Sequence, residues 1–361
     1  MVLWEIHNYS RNHSGNSIIR KAYSHTLGVI CAYRCLLLIF KMGGKRVLIT
    51  DDCHPYLTER LTVLGYSCDF FPEISLEKTL ETIQDYTGLI INSKIVVNRQ
   101  FLDKAVQLRF IGRLGSGMEI VDRVCAAEKG VAVFSSPEGN RNAVAEQALG
   151  MLLALANNLC RADREVRQEI WRREANRGWE LKDKVIGIIG FGHTGSSFAS
   201  KLSGMGMTVL AFDKYLPYGY ADIMPWVKMV QGLEEIQAQA DIISLHLPLT
   251  AATRHLVNQD FIEHCRKGFV LMNTSRGACI DTKAVADGLD SGQIGGACLD
   301  VFENEKPPTF SPAEKEVYNR LYLKENAIFA PHIAGWTHES KRKMAEILAK
   351  RIENVTNLIN H

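Results

Sequence analysis

Lys184-Val-Ile-Gly-Ile-Ile-Gly190 runs directly into Phe191-Gly192-His193-Thr194-Gly195. The first run has the unbroken apolar character of a strand buried on both faces. The glycines follow it at the spacing of a dinucleotide-binding turn. Ser196 to Met205 then reads as a helix, and Met207-Thr-Val-Leu-Ala-Phe-Asp213 as a second strand closed by an acid. Strand, glycine turn, helix, strand and acid together form the βαβ context that makes a bare glycine pattern specific.

Each residue of the unit has a physical task. Gly190 makes the tight turn out of the strand, Gly192 lets a pyrophosphate approach the backbone, and Gly195 lets the helix pack closely on the sheet. The helix start offers free N–H groups and the positive end of its dipole to phosphates. Asp213 stands where a carboxylate accepts hydrogen bonds from a ribose diol. Its charge repels a 2′-phosphate, so NAD is expected over NADP.

Outward from this unit, short strands alternate with helices, which implies parallel sheets. Before it, strands are expected at Arg46–Thr50, Cys68–Phe71, Gly88–Asn92, Phe110–Leu114 and Ala132–Phe134. Helices are expected at Pro55–Leu64, Leu76–Gln84 and Gln100–Val106, then a long one from Ala143 to about Asn176. After it come strands at Asp241–Leu247, Phe269–Asn273, Gly296–Val301 and Ala327–Ala330, and a final helix at Glu339–Asn357. Pro307 to Lys315 reads as a surface loop. The expected fold is α/β with two doubly wound parallel-sheet domains, the second binding a dinucleotide. The last helix can return to the first domain and make it discontinuous.

The 361 residues suit two domains of ordinary size, and 46% apolar and 23% charged residues are those of a soluble globular chain. A formal charge of +2 gives no nucleic-acid surface. Nine cysteines are scattered without a CxxC pair or metal-ligand spacing, which reads as reduced thiols in a cytoplasmic protein with no metal site. Residues 1–41 stand apart, with Arg11, Arg20, Lys21, Arg34 and Lys41 against Glu5 alone. Their apolar run Leu27–Phe40, interrupted by Arg34, is too short for a membrane span. Met42 is the expected functional start, with the preceding stretch a mis-set start or a disordered tail. A targeting segment is the alternative.

Three polar residues follow strands of the second domain: Arg276 after Asn273-Thr-Ser275, Glu305 after Cys298-Leu-Asp-Val-Phe302, and His332 after Ala327-Ile-Phe-Ala-Pro331. Ligands of open parallel sheets bind at the carboxyl ends of the strands. The chemistry of the three fits hydride transfer. A histidine gives or takes the proton of a carbonyl–alcohol couple near neutral pH. A carboxylate beside it fixes its tautomer. A guanidinium clamps a carboxylate with two parallel hydrogen bonds.

At these residues the chain resembles the D-isomer-specific 2-hydroxyacid dehydrogenases over nearly all of 42–361. The resemblance is carried by Gly190–Gly195, Leu245-His-Leu-Pro-Leu-Thr250 with Thr253, Asn273–Gly277, Gly296–Phe302, Pro331–Gly335 and Asn140–Glu146. It implies that Arg276 binds the substrate carboxylate and keto oxygen, that His332 is the acid/base and that Glu305 supports it. It implies NAD contacts at Gly190, Gly192, His193, Thr194, Gly195, Asp213, Leu247, Pro248, Thr253, Thr274, Ser275, Arg276, Asp300, His332 and Gly335. It also implies a flavodoxin-like discontinuous substrate domain of 42–140 and 333–361, a Rossmann domain of 141–332, and homodimers formed through the latter.

Within the family the likeness is to short-type D-3-phosphoglycerate dehydrogenases, since about thirty residues after His332 leave no room for a regulatory domain. Arg113-Leu-Gly115-Ser116-Gly117 resembles the substrate-carboxylate loop, where successive N–H groups can nest an anion. Asn140, Arg141 and Lys94 are further substrate candidates. Asn92 stands where relatives acting on phosphoglycerate carry an arginine, and Lys94 replaces it only as a point charge. The expected reaction is 3-phospho-D-glycerate to 3-phosphohydroxypyruvate in serine synthesis. The alternatives are reduction of glyoxylate, hydroxypyruvate or another 2-keto acid, and a non-catalytic NAD-binding scaffold like the corepressors built on this fold.

Overall fold

The computed structural model describes residues 45–216, 220–221 and 224–360. The expectations for 1–41 lie outside them. The first sheet comprises β1 (Arg46–Ile49), β2 (Ser67–Phe70), β3 (Gly88–Ile91), β4 (Phe110–Arg113) and β5 (Ala132–Phe134). All strands are parallel, in the order β2-β1-β3-β4-β5, which is the flavodoxin-type order. Between them run α1 (Pro55–Val63), α2 (Leu76–Thr82), α3 (Arg99–Lys104) and α4 (Arg123–Glu128). Ser75, Asn98 and Asp122 cap the last three, each accepting a backbone N–H of the first turn.

The second sheet holds β6 (Val185–Ile189), β7 (Thr208–Phe212), β8 (Val227–Met229), β9 (Ile242–Leu245), β10 (Phe269–Asn273), β11 (Ile294–Leu299) and β12 (Ala327–Phe329). Its order is β12-β11-β10-β9-β6-β7-β8, again all parallel. The strand order reverses between β6 and β9, so the turns leaving these two strands open a crevice there, as in a Rossmann sheet.

The link between the sheets departs from the sequence expectation. Instead of one helix to Asn176, α5 (Pro137–Ala156) and α6 (Leu159–Arg167) meet at 63°. Asn158 sits between them at φ 53°, a left-handed conformation that asparagine tolerates and a continuing helix does not. At the other end, Pro137 starts α5 six residues before Ala143, where its missing N–H costs no hydrogen bond. The stretch read as a loop to Lys315 is also shorter. The helix Pro312–Tyr322 begins inside it, on a capping box made by Ser311 and Glu314.

The closing helix (His338–Asn360) returns to the first sheet. Its Ala345, Leu348, Ala349 and Ile352 pack with Val47, Ile49, Leu57, Leu61 and Phe110 in one apolar cluster. The smaller, flavodoxin-like domain is therefore built from two separated pieces of chain. In the larger one, Ala148, Leu152 and Leu155 of α5 pack on Ile186, Ile188 and Met272. Among the described residues no single helix is long and apolar enough to cross a membrane, and every described cysteine is a free thiol.

Candidate active site

The glycine turn is shaped by close contacts. Gly190 has φ +93°, and a Cβ there would lie 2.3 Å from the His246 carbonyl oxygen at the end of β9. A Cβ on Gly195 would lie 2.0 Å from the Gly190 carbonyl oxygen. A Cβ on Gly192, by contrast, would meet only open space. The helix that begins at His193 has no side-chain cap, so its first N–H groups remain available. The Asp213 carboxylate accepts the Phe191 N–H at 2.8 Å and the Tyr215 N–H at 2.9 Å. It thus braces the turn while retaining lone pairs for a further donor.

Two buried polar atoms on the adjoining cavity wall, Thr274 Oγ1 and His246 Nδ1, have no protein partner. Buried polar atoms are seldom left so unless a ligand or water meets them. Free helix-start N–H groups, an open Gly192 and these two atoms fit a dinucleotide. His246 donates or accepts through Nε2 to Ser244 Oγ at 3.0 Å, and burial pushes its pKa down to about 4.

The second half of the site is built by three strand ends. After β10, Asn273 Oδ1 accepts the Ser275 N–H and hydroxyl while its Nδ2 donates to the Arg276 carbonyl, which holds the turn carrying Arg276. After β11, Asp300 is fully buried. Its carboxylate accepts the N–H groups of Ile333 and Ala334, both at 2.9 Å, and Gln147 Nε2 at 2.8 Å. Burial raises the Asp300 pKa, and these donors oppose that. After β12 comes His332, at a left-handed φ of 57° that costs of order 1–3 kcal/mol in a non-glycine residue.

His332 Nδ1 lies 2.9 Å from Glu305 Oε2, and the Phe302 N–H donates to Glu305 Oε1 at 3.3 Å. Burial alone would raise the Glu305 carboxyl. Its hydrogen bond to the His332 imidazole and the charges of His332 and Arg276 hold it below the ordinary carboxylate range. Arg276 Nε donates to Glu119 Oε1 at 2.7 Å, an ion pair between a nucleotide-side strand end and the loop after β4.

One cavity of about 640 Å³ gathers most of the sequence-predicted residues. Arg113, Gly115, Ser116, Gly117 and Asn140 line its first-sheet side. Gly192, His193, Thr194, Leu247 and Pro248 line the crevice side. Thr274, Ser275, Arg276, Asp300, Glu305, His332 and Gly335 close the wall between. Others stand off it. Gly190, Gly195 and Asp213 frame the turn, and Thr253 shapes the neighbouring loop by donating to the Pro248 carbonyl at 2.7 Å. Lys94 and Arg141 are exposed and absent from the wall, with Lys94 Nζ held by the Pro72 carbonyl.

Sequence reasoning missed Glu119, Gln147, His246 and Trp336. Gln147 carried a signal, as a polar residue in the apolar run Ala143–Ala156. Glu119, just past the glycines of the loop, carried none that identifies its partner.

Residues 149–334 match the family described as D-isomer specific 2-hydroxyacid dehydrogenase, NAD binding domain. The chain is 34% identical over 310 residues to a D-3-phosphoglycerate dehydrogenase of Methanocaldococcus jannaschii, covering 86% of this chain and 57% of that protein. It thus spans little more than half the length of that relative. It is 33% identical over 281 residues to a hydroxypyruvate reductase of Thermotoga maritima, covering 76% of this chain and 87% of that one. Among solved structures, a D-lactate dehydrogenase from Aquifex aeolicus, complexed with NAD and lactic acid, superposes with a TM-score of 0.76 at 25% identity, over 86% of this chain and 95% of that chain. The chain belongs to the D-isomer specific 2-hydroxyacid dehydrogenase family.

Proposed function

We propose that the protein is an NAD-dependent oxidoreductase that interconverts a D-2-hydroxy acid and its 2-keto acid. The observation that carries this is the His332–Glu305 pair, which shares one cavity wall with Arg276 and the glycine turn. Bound NAD would supply a hydride acceptor, held by Gly192–Thr194, Leu247–Pro248 and Thr274–Ser275.

The chain's own residues do the rest. Arg276 receives the substrate carboxylate and polarises the C2 oxygen. Glu305 accepts a hydrogen bond from His332 Nδ1–H and stays ionised, which leaves Nε2 to take the C2 hydroxyl proton as the C2 hydrogen leaves with its electron pair to the bound nicotinamide. In reduction His332 returns that proton to the carbonyl oxygen. Asp213 favours NAD over NADP by repelling a 2′-phosphate. A substrate domain of 42–140 with 333–361, a nucleotide domain of 141–332 and a cytoplasmic homodimer without nucleic-acid or membrane partners complete the assignment. Exposed Leu159, Val166 and Trp171 on the nucleotide side support association there.

Resemblance favours 3-phospho-D-glycerate as substrate, and a D-3-phosphoglycerate dehydrogenase stands among the relatives. A small unphosphorylated 2-keto acid is the second reading, favoured by the position of Lys94 and Arg141 off the cavity wall. NADH oxidation, with NADPH in parallel, over phosphorylated and unphosphorylated 2-keto acids tests the assignment. Turnover that is faster with NADH supports it. Tight NADH binding without turnover of any acid points to a non-catalytic scaffold and overturns it.

A further inference from the structure

We propose that Glu303, paired with His255, is a positioning residue for the reaction. It sets the cofactor loop after β9 and the Glu305 loop after β11 in one register, and so acts on His332 from outside the cavity. This rests on the dehydrogenase assignment above.

Three strand-end loops meet at one carboxylate. His255, in the loop after β9, has its Nε2 at 2.6 Å from Glu303 Oε1. Thr282 starts the helix Thr282–Ser291 beyond the β10 turn. It donates its N–H at 2.8 Å, and its hydroxyl, to Glu303 Oε2. Glu303 itself belongs to the loop after β11. Backbone hydrogen bonds also stitch the first two loops together. The His255 N–H donates to the Ala278 carbonyl at 2.8 Å, and the Val257 N–H to the Cys279 carbonyl at 3.1 Å. The third loop presses on the second with no room for a side chain, since a Cβ on Gly277 would lie 1.9 Å from the Phe302 carbonyl oxygen.

What each loop carries gives the pair its reach. Upstream of His255, Thr253 Oγ1 holds the Pro248 carbonyl at 2.7 Å beside the crevice. Two residues beyond Glu303 stands Glu305, whose Oε2 lies 2.9 Å from His332 Nδ1. The residue between them is fixed as well, with the Asn304 N–H donating to the Tyr318 hydroxyl at 3.0 Å. Glu303 and Asn304 thus leave Glu305 little freedom to turn away from the imidazole. Neither His255 nor Glu303 lies on the cavity wall, so they act only through the residues they hold.

The backbone at His255 points the same way. Its φ is 49°, close to the 57° of His332. A non-glycine residue persists there only where its surroundings hold it. In both cases the imidazole meets a glutamate of the one segment Glu303-Asn-Glu305. An exposed ion pair by itself holds little. Glu303 instead gathers three polar contacts from two other loops on a side chain only 28% exposed.

The test uses the full chain and measures kcat and KM with the fastest of pyruvate, hydroxypyruvate and 3-phosphohydroxypyruvate, and NADH affinity by fluorescence titration. Glu303→Ala is expected to lower kcat ~10-fold and raise the Kd for NADH ~3-fold, with the KM of the acid little changed. Glu303→Gln is expected to keep most of both, since its amide oxygen still accepts from Thr282 and its amide N–H reaches the His255 ring. His255→Asn is expected to match Glu303→Ala. Asparagine tolerates the left-handed backbone and is too short to reach Glu303, so this variant carries the test if Glu303→Ala fails to fold. Glu303→Ala added to Glu305→Gln is expected to cost no further kcat, because both act through one contact. A lower thermal midpoint with unchanged kcat and NADH affinity overturns the inference and leaves the dehydrogenase assignment standing. Equal losses in Glu303→Gln and Glu303→Ala overturn the geometric role, and additive losses with Glu305→Gln overturn the route through Glu305. No turnover of any acid by wild type, with NADH still bound, overturns the assignment and the inference with it.

Discussion

The His332 N–H donates to the Asp300 carbonyl oxygen at 2.7 Å, which ties a left-handed residue to a buried strand end. The Asp300 carboxylate then accepts the next two N–H groups along the chain. Asp300→Asn turns one of those acceptors into a donor facing a donor, a loss of about 1–3 kcal/mol. The expected result is a kcat at least ~10-fold lower, with NADH affinity retained. Steady-state kinetics and NADH fluorescence titration measure both, and an unchanged kcat would remove Asp300 from the support of His332.

His332→Ala is expected to lower kcat by roughly 10²–10⁴ while NADH binds almost as before. A near-normal rate removes His332 from the chemistry. Glu305→Gln probes its support. The Glu305 carboxyl is held low by its contact with His332, so it stays ionised across the neutral range and contributes no limb there. Replacing it removes the carboxylate that holds His332 Nδ1 at 2.9 Å. The kcat of Glu305→Gln is therefore expected to fall at least ~10-fold, and an unchanged kcat contradicts the pairing.

Asp213→Ser removes the anion opposing a 2′-phosphate and also the acceptor that holds the Phe191 and Tyr215 N–H groups. The preference for NAD over NADP is expected to fall by at least ~10-fold. Urea unfolding should show a loss of about 1 kcal/mol. An unaltered cofactor ratio would count against a ribose role for Asp213.

His246 makes a stability prediction. Burial depresses its folded pKa to about 4 from an ordinary 6.5. The unfolded chain therefore binds this proton first as pH falls. The stabilisation is complete above pH 6.5 and is lost progressively towards pH 4, by roughly 3 kcal/mol. His246→Gln cannot titrate. Its urea midpoint should fall less steeply than wild type between pH 6.5 and 4, and parallel slopes would refute the assignment.

The parallel strands were legible because each is a short apolar run next to a helical one. Phe269–Asn273 and Ala132–Phe134 even match their expected bounds. Short helices such as Arg123–Glu128, Leu233–Gln239 and Gln259–His264 went unread, since six or seven residues hold too few turns to show a period. The bend at Asn158 was hidden because charged residues after it remain good helix formers. At the site, strand-end position marked Arg276, Glu305 and His332. Glu119 could not be read in the same way, because its partner lies 157 residues away across the cleft.

The chain crosses between the two sheets twice, once where α5 begins at Pro137 and once in the turn from His332 to Trp336. Both crossings border the cavity. A rocking of one sheet against the other must pivot on these two straps. His332 therefore stands within one of the two straps, so a change in either crossing bears directly on where its imidazole meets the cavity.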